Sequence, residues 1–167
     1  MTELSTSLQP NFRDAMASYA AGVHVITTDG EAGRYGITMT AVASVTDEPP
    51  TVMLCINRSA RIYPILNTNR RLCINTLAAQ QQDLAEHFAG LTKLSPEERF
   101  EYHIWQRVNN DQWQVEGAVA HLHGHVTQQH DVGTHTVFLV EIDEVAVNNQ
   151  KDLPALVYFR RKFKSLS

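Results

Sequence analysis

Long apolar runs, paired cysteines and an excess of positive charge are all missing from this sequence of 167 residues. No apolar segment approaches the ~20 residues of a membrane-spanning helix. The opening MTELSTSLQP lacks the basic-then-apolar pattern of a secretory signal. A cytoplasmic protein with no membrane partner is expected, in which the Asn57-Arg58-Ser59 glycosylation triplet is inert. The only cysteines, Cys55 and Cys73, lie in the apolar runs TVMLCIN and RLCINTL, without CxxC or zinc-type spacing. Buried reduced thiols are expected from them. Basic residues number 14 against 18 acidic, a net charge of −4, which argues against a nucleic-acid binder but leaves room for a local basic pocket.

Familiar catalytic signatures are missing too. The chain has no G-x-S-x-G elbow, no HExxH, no P-loop and no convincing paired carboxylates. Gly30, Gly33 and Gly36 have the wrong spacing for GxGxxG, so a dinucleotide bound here is not held on a Rossmann turn. Hydrolase and kinase chemistry have no local support. Redox chemistry carried by a bound cofactor asks little of the protein's own side chains and is compatible with these absences.

What is present fits one folded domain, with 43% apolar residues and no repeat or linker. Residues 1–10 read as a flexible polar tail and 11–167 as the domain. Asn11 can cap a helix from Phe12 to about Ala21, with Phe12, Ala15, Met16, Tyr19 and Ala20 on one face and Gly22 as its stop. Strands are expected at 23–28, 37–46, 51–57, 71–77, 117–127, 134–147 and 156–163. Within 37–46, Ile37, Met39, Ala41, Ala43 and Val45 alternate with Thr38, Thr40, Val42, Ser44 and Thr46. The run 51–57 reads as a strand buried on both faces. A short helix follows Ser59, limited by Pro64, and another spans 80–88, closed by Gly90. Ser95-Pro96-Glu97-Glu98 is a capping-box pattern opening a further short helix. Six or seven strands without β-α-β alternation predict a mainly β fold, an antiparallel barrel with peripheral helices.

Several features can carry chemistry, each with a plainer reading beside it. The hydroxyl row Thr38, Thr40, Ser44 and Thr46 can line the sugar and phosphate of a ligand, or simply face solvent. Asn57, Arg58, Ser59 and Arg61 precede a helix start and can hold a phosphate, or be a capped helix with surface arginines. His121, His123 and His125 share one strand face, but one strand rarely closes a tetrahedral site, so no metal is expected. His135 opens a strand after Gly133-Thr134, and Phe88-Ala89-Gly90 ends a helix with small residues and a ring. Tyr158 to Lys162 is an aromatic–basic cluster.

Taken in order, FRDAMASYAAGVHVITTDGEAGRYGITMTAVASVTDEPPTVMLCINRSA, NRRLCINTLA, AEHFAGLT, EERF, VGTHTVFLVEI and LVYFRRKF resemble the flavin reductase-like family over about residues 11–163. The resemblance implies a homodimeric FMN-binding split β-barrel that passes hydride from NADH, or NADPH, to FMN or FAD. The reduced flavin then serves a separate oxygenase component, one acting on an aromatic substrate or one of pyrimidine degradation. A flavin-binding carrier without NADH activity is the alternative. By position, the resemblance places Thr38, Met39, Thr40 and Ala41 at the flavin ring and ribityl chain. Ser44, Val45 and Thr46 fall at the ribityl–phosphate part, and Asn57, Ser59 and Arg61 complete that end. Phe88, Ala89 and Gly90 match a segment closing over the flavin, and His135, Tyr158 and Arg161 match nicotinamide-side contacts. No obligatory acid or base is implied; His135 would orient the nicotinamide. Met39 departs from the small residue relatives often carry.

Overall fold

The computed structural model describes residues 2–108 and 112–167, with side chains from residue 7 onward. The chain opens with helix α1 (Thr2–Ala17), followed by strands β1 (Ala21–Gly22), β2 (His24–Thr28), β3 (Tyr35–Met39), β4 (Val42–Asp47) and β5 (Pro50–Asn57). Helix α2 (Ile62–Asn69), β6 (Arg71–Thr76) and α3 (Gln82–Phe88) come next. The remainder is β7 (Trp105–Arg107), β8 (Trp113–Val115), β9 (Ala120–Val132), β10 (His135–Val147), β11 (Ala155–Phe159) and β12 (Lys162–Leu166). Among the described residues, no helix is long and apolar enough to cross a membrane.

The main sheet has seven strands in the order β3-β2-β6-β9-β10-β5-β4, all neighbours antiparallel. Its two edges, β3 and β4, are consecutive in sequence and joined by Thr40 and Ala41 alone. Three Cα steps of 3.8 Å span at most about 11 Å, so the sheet must curl until its edges nearly meet. Cys55 N–H donates to the Ala41 carbonyl at 3.2 Å, carrying the β4–β5 pairing up to the crossing. Beyond it β3 and β5 diverge, and α2 fills the gap with buried Ile62 and Leu66. The result is a split barrel.

Two bulges in the β9–β10 hairpin curl the long strands, next to Leu139/Val140 and next to Ile142/Glu144. Glycine is required at 124, where a Cβ would lie 2.4 Å from the Glu141 carbonyl oxygen. Alternation along β10 buries Thr136, Phe138, Val140 and Ile142 in turn. Phe138 and Val140 join Ile26, Leu54, Leu72 and Ile74 in the barrel core. A second core lies outside the sheet, where α3, β8 and β11 cover it through Leu84, Phe88, Val115 and Leu156.

The sequence expectations hold in outline and fail at definite points. The run 37–46 is two strands at opposite sheet edges, because Thr40-Ala41 crosses the barrel mouth. Backbone before Asn11 is helical, Pro10 lies within α1, and the helix ends at Ala17 in tight turns from Ser18 to Ala15 and Tyr19 to Met16. The apolar face of α1 is solvent-exposed at Phe12, Met16 and Tyr19. Strand β5 buries Val52, Leu54 and Ile56 but leaves Met53 and Cys55 half-exposed, so only one of its faces is core. The 156–163 run is a hairpin that turns at Arg160-Arg161. The capping box is present: Ser95 N–H donates to Glu98 Oε2 at 2.8 Å and Glu98 N–H to Ser95 Oγ at 3.2 Å.

Candidate functional site

The β3–β4 crossing forms the wall of a cleft. On one side is a cavity of about 280 Å³, bounded by Thr38, Met39, Thr40, Ala89, Leu91 and Tyr158 among others. On the other is a larger one, about 920 Å³, between α1, the crossing and β5. Thr40 and Tyr158 border both, so the two are halves of one cleft. The larger falls in the ~300–1,000 Å³ range of small-molecule sites, and the smaller lies just below it.

Each wall has a local cause. Ala21 pairs with Tyr158, which sets the β11 aromatic beside the crossing, and Tyr158 packs on Phe163 with ring centroids 5.0 Å apart. The Thr38 hydroxyl donates to the Ala85 carbonyl at 2.7 Å and fixes β3 to α3. The N–H groups of Thr40 and Ala41 have no hydrogen-bond partner among the described residues. A crossing between strands leaves them out of both ladders, and both residues border the cleft, where a ligand acceptor can meet them. Met39 borders the smaller cavity while its side chain packs against the barrel core, so it shapes the wall from behind.

The loop after β5 is a compact turn. Asn57 Oδ1 accepts from Ser59 N–H at 2.9 Å and from Ser59 Oγ–H at 2.8 Å. Arg61 stands just before α2, its guanidinium 5.9 Å from the centre of the Tyr35 ring. Arg58 turns away: it donates to the carbonyls of His135, at 2.6 Å, and Gly133, and its N–H donates to Thr134 O at 3.0 Å. His135 pairs with Asn57 across β5 and β10, so both point to one face. Its Nδ1 meets Thr134 Oγ1 at 2.9 Å.

Three readings are corrected by this geometry. Phe88 is not exposed to the cleft. Its ring is buried at 2% exposure, packed edge-on to Phe100 and Trp105, and only the following Ala89 reaches the cavity. Gly90, with φ 74°, turns the chain there and is not on the cavity wall. Ser44, Val45 and Thr46 do not share an end with Asn57, Ser59 and Arg61. Strand β4 runs antiparallel to β5, so Thr46 lies opposite Thr51. At 3.3–3.4 Å per residue, that is about 20 Å along the strand from Asn57. The nicotinamide-side trio is divided as well: Tyr158 and Arg161 border the larger cavity, whereas His135 sits at the Asn57 loop.

Sequence reasoning missed Arg13 on α1 and Met53 and Cys55 on β5 as cleft residues. The half-exposed alternation of β5 was hidden in a continuous apolar run. The three β9 histidines each have a local partner: His121 Nε2 meets Val115 O at 2.7 Å, His123 Nε2 meets Gln114 Oε1 at 2.9 Å, and His125 Nδ1 meets Asp143 Oδ2 at 3.0 Å. Among the described residues no three His, Cys, Asp or Glu side chains converge as a metal site. Cys73 is buried, and that burial pushes its thiol well above the ordinary range; the Thr27 hydroxyl offsets this slightly.

The family model of the flavin reductase like domain matches residues 16–167. The reductase component of 4-hydroxyphenylacetate 3-monooxygenase from Pseudomonas aeruginosa is 46% identical over 95% of this chain and 92% of its own length. A protein of Stutzerimonas stutzeri named FMN reductase (NADH) RutF is 43% identical, over 96% of this chain and 90% of its own. Among solved structures, a flavin reductase of Haemophilus somnus superposes with a TM-score of 0.87 at 39% identity, over 94% of this chain and 98% of its own. The chain belongs to the flavin reductase-like family.

Proposed function

We propose that the chain is an NAD(P)H:flavin oxidoreductase that reduces FMN or FAD for a separate oxygenase component. The observation that carries this reading is the cleft at the β3–β4 crossing, with its two unpaired backbone N–H groups and its apolar walls. A flat amphipathic ring fits such a site. The walls bury its faces, and the N–H groups of Thr40 and Ala41 can bind an oxygen or nitrogen on its polar edge. Donors of this kind stabilise negative charge that gathers on reduction. The two halves of the cleft would hold a flavin and a nicotinamide together, and hydride transfer between them would need the reacting atoms about 3–3.5 Å apart.

The chain's own residues bind and orient. Thr38 and Met39 hold the β3 end of the cleft in place, and Tyr158 offers a ring between its two halves. The Asn57–Ser59–Arg61 loop gives a phosphate a hydroxyl and a guanidinium. His135, on the same face as Asn57, orients the nicotinamide through a hydrogen bond and moves no proton. NADH is the preferred donor, as in the name of the Stutzerimonas relative. Relatives named as monooxygenase reductase components support delivery of reduced flavin to a separate oxygenase, one acting on an aromatic substrate such as 4-hydroxyphenylacetate. That chemistry belongs with the cytoplasmic nicotinamide pool. The working unit is a homodimer, which would cover the exposed Phe12, Met16 and Tyr19 beside the cleft.

NADH and NADPH oxidation is measured with FMN, FAD and riboflavin, beside titration of flavin fluorescence. Fluorescence quenching together with flavin-dependent NADH oxidation is expected. Quenching without oxidation makes the chain a flavin carrier, and no quenching removes the flavin reading.

A further inference from the structure

Arg58 belongs to the Asn57–Arg61 loop, yet its side chain serves the β9–β10 turn. Its N–H donates to the Thr134 carbonyl at 3.0 Å, which extends the β5–β10 ladder one residue past Asn57. The neighbouring Asn57–His135 pair is then a non-hydrogen-bonded one, the kind in which facing side chains lie closest. The guanidinium donates from Nη1 to the His135 carbonyl at 2.6 Å and from Nη2 to the Gly133 carbonyl. It thereby caps the two-residue turn Gly133-Thr134, where Gly133 supplies the positive φ of 56°. Asp131 adds an ion pair at 3.7 Å and accepts from the Thr136 hydroxyl at 2.7 Å. With its side chain 65% exposed, that carboxylate contributes little, and the two carbonyls carry the clamp. Among the described residues the loop's other hydrogen bonds are local, from Ser59 to Asn57 Oδ1 and from Ala60 N–H to Asn57 O at 2.9 Å. Arg58 is what ties the loop to the hairpin.

We propose that Arg58 is a positioning residue that couples the binding of the two substrates, by locking the Asn57–Arg61 loop to the turn that presents His135. The inference rests on the flavin reductase reading and deepens it. Both terminal nitrogens of the guanidinium are committed to the turn, so Arg58 acts through the loop and not on the phosphate. A flavin phosphate settled on the loop orders it, and the clamp passes that order to the hairpin. His135 then stands fixed beside Asn57 for the nicotinamide. Whichever substrate binds first orders the linked unit and spares the second that cost, so each raises the other's affinity by the same factor. The clamp needs a planar fork, because its two acceptors are met by separate nitrogens; the single ammonium of lysine does not reproduce it.

The NADH KM is measured with saturating FMN and with saturating riboflavin, which has no phosphate for the loop. The parent, Arg58→Lys and Asp131→Asn are compared, alongside melting midpoints. In the parent the NADH KM is expected to be about fivefold lower with FMN than with riboflavin. Arg58→Lys erases that advantage: its KM with FMN rises to the riboflavin value, while the riboflavin value itself holds. The same variant melts within about 4 °C of the parent, the effect of one hydrogen bond in a chain of this size. Asp131→Asn keeps an acceptor for Thr136 and retains the advantage. The coupling is overturned by an active parent with no FMN advantage, or by an advantage that survives in Arg58→Lys. An advantage lost equally in Asp131→Asn, or lost only where the melting midpoint collapses, overturns it too. If the parent oxidises no NADH, the reductase reading falls, and amide hydrogen exchange judges the clamp instead. Protection of residues 132–136 on adding FMN but not riboflavin, absent in Arg58→Lys, then keeps it, and no such protection in the parent ends it.

Discussion

The Phe88 ring lies against Gly36 so closely that a Cβ at position 36 would sit 2.6 Å from the ring. The contact ties α3 to β3 and holds Ala89 at the cleft wall. Phe88 thus acts on the site from the core. Gly36→Ala must push the ring out of its packing with Phe100 and Trp105. Overpacking of this kind costs about 1–3 kcal/mol. A urea-unfolding midpoint lowered to match, with the slope unchanged, is the expected result. Flavin affinity falls with it, because the Ala89 wall shifts.

Stability should depend on pH through His24. Burial pulls its imidazole from 6.5 down to about 4, and Nδ1 meets Thr76 Oγ1 at 3.0 Å. The unfolded chain takes up this proton near pH 6.5, the folded chain only near 4. The folded state is therefore favoured above pH 6.5 and loses stability as pH falls toward 4, with no further loss from this group below that. Full titration is worth on the order of 3 kcal/mol. Burial also lowers His121 and His123, which steepens the same slope. Urea midpoints measured between pH 7.5 and 4.5 should fall in the parent and fall less in His24→Asn. Equal slopes in the two proteins would assign the pH dependence elsewhere.

Periodicity made the strands legible, and turn chemistry made the capping box at Ser95 and Glu98 legible. What alternation could not show is where a strand stops belonging to one sheet edge and starts at another. Met39 and Val42 fit one continuous pattern, yet they belong to opposite edges. The reason lies in long-range pairing: Met39 is matched to His24 and Val42 to Leu54. The same limit hid the α1 face. An apolar stripe at helical spacing predicts burial but does not say in which molecule. The loop from Asn57 to Arg61 was legible as a polar turn before a helix. Its link to His135 was not, because it passes through Arg58 and a hairpin more than seventy residues away.

The α1 stripe yields a test of assembly. Phe12, Met16 and Tyr19 are 61%, 44% and 66% exposed and stand beside a cavity open on their side. Exposed side chains of this size, grouped together, mark an interaction surface. Sedimentation equilibrium of the parent should give a mass of twice 18.8 kDa. Phe12→Ser combined with Met16→Ser should shift it toward the monomer. Flavin affinity should fall in the same variant if the second copy closes the cleft. A monomeric parent would remove the homodimer from the proposed function.

His135 offers the sharpest separation between binding and folding roles. It is exposed at the start of β10, and its backbone carbonyl, not its ring, accepts from Arg58 at 2.6 Å. Removing the ring leaves that clamp in place, along with the pairing to Asn57, so His135→Ala should melt within a degree or two of the parent, as surface substitutions generally do. The ring makes one contact, between Nδ1 and Thr134 Oγ1, which leaves Nε2 for a ligand. If Nε2 orients the nicotinamide amide, its loss raises the NADH KM by about five- to tenfold, the usual worth of one hydrogen bond to a neutral group. The rate at saturating NADH should change less, since His135 moves no proton. Flavin affinity measured without NADH should hold. If the NADH KM holds and the flavin affinity falls, His135 belongs to the flavin end with Asn57, and the nicotinamide is held from the Tyr158 side alone.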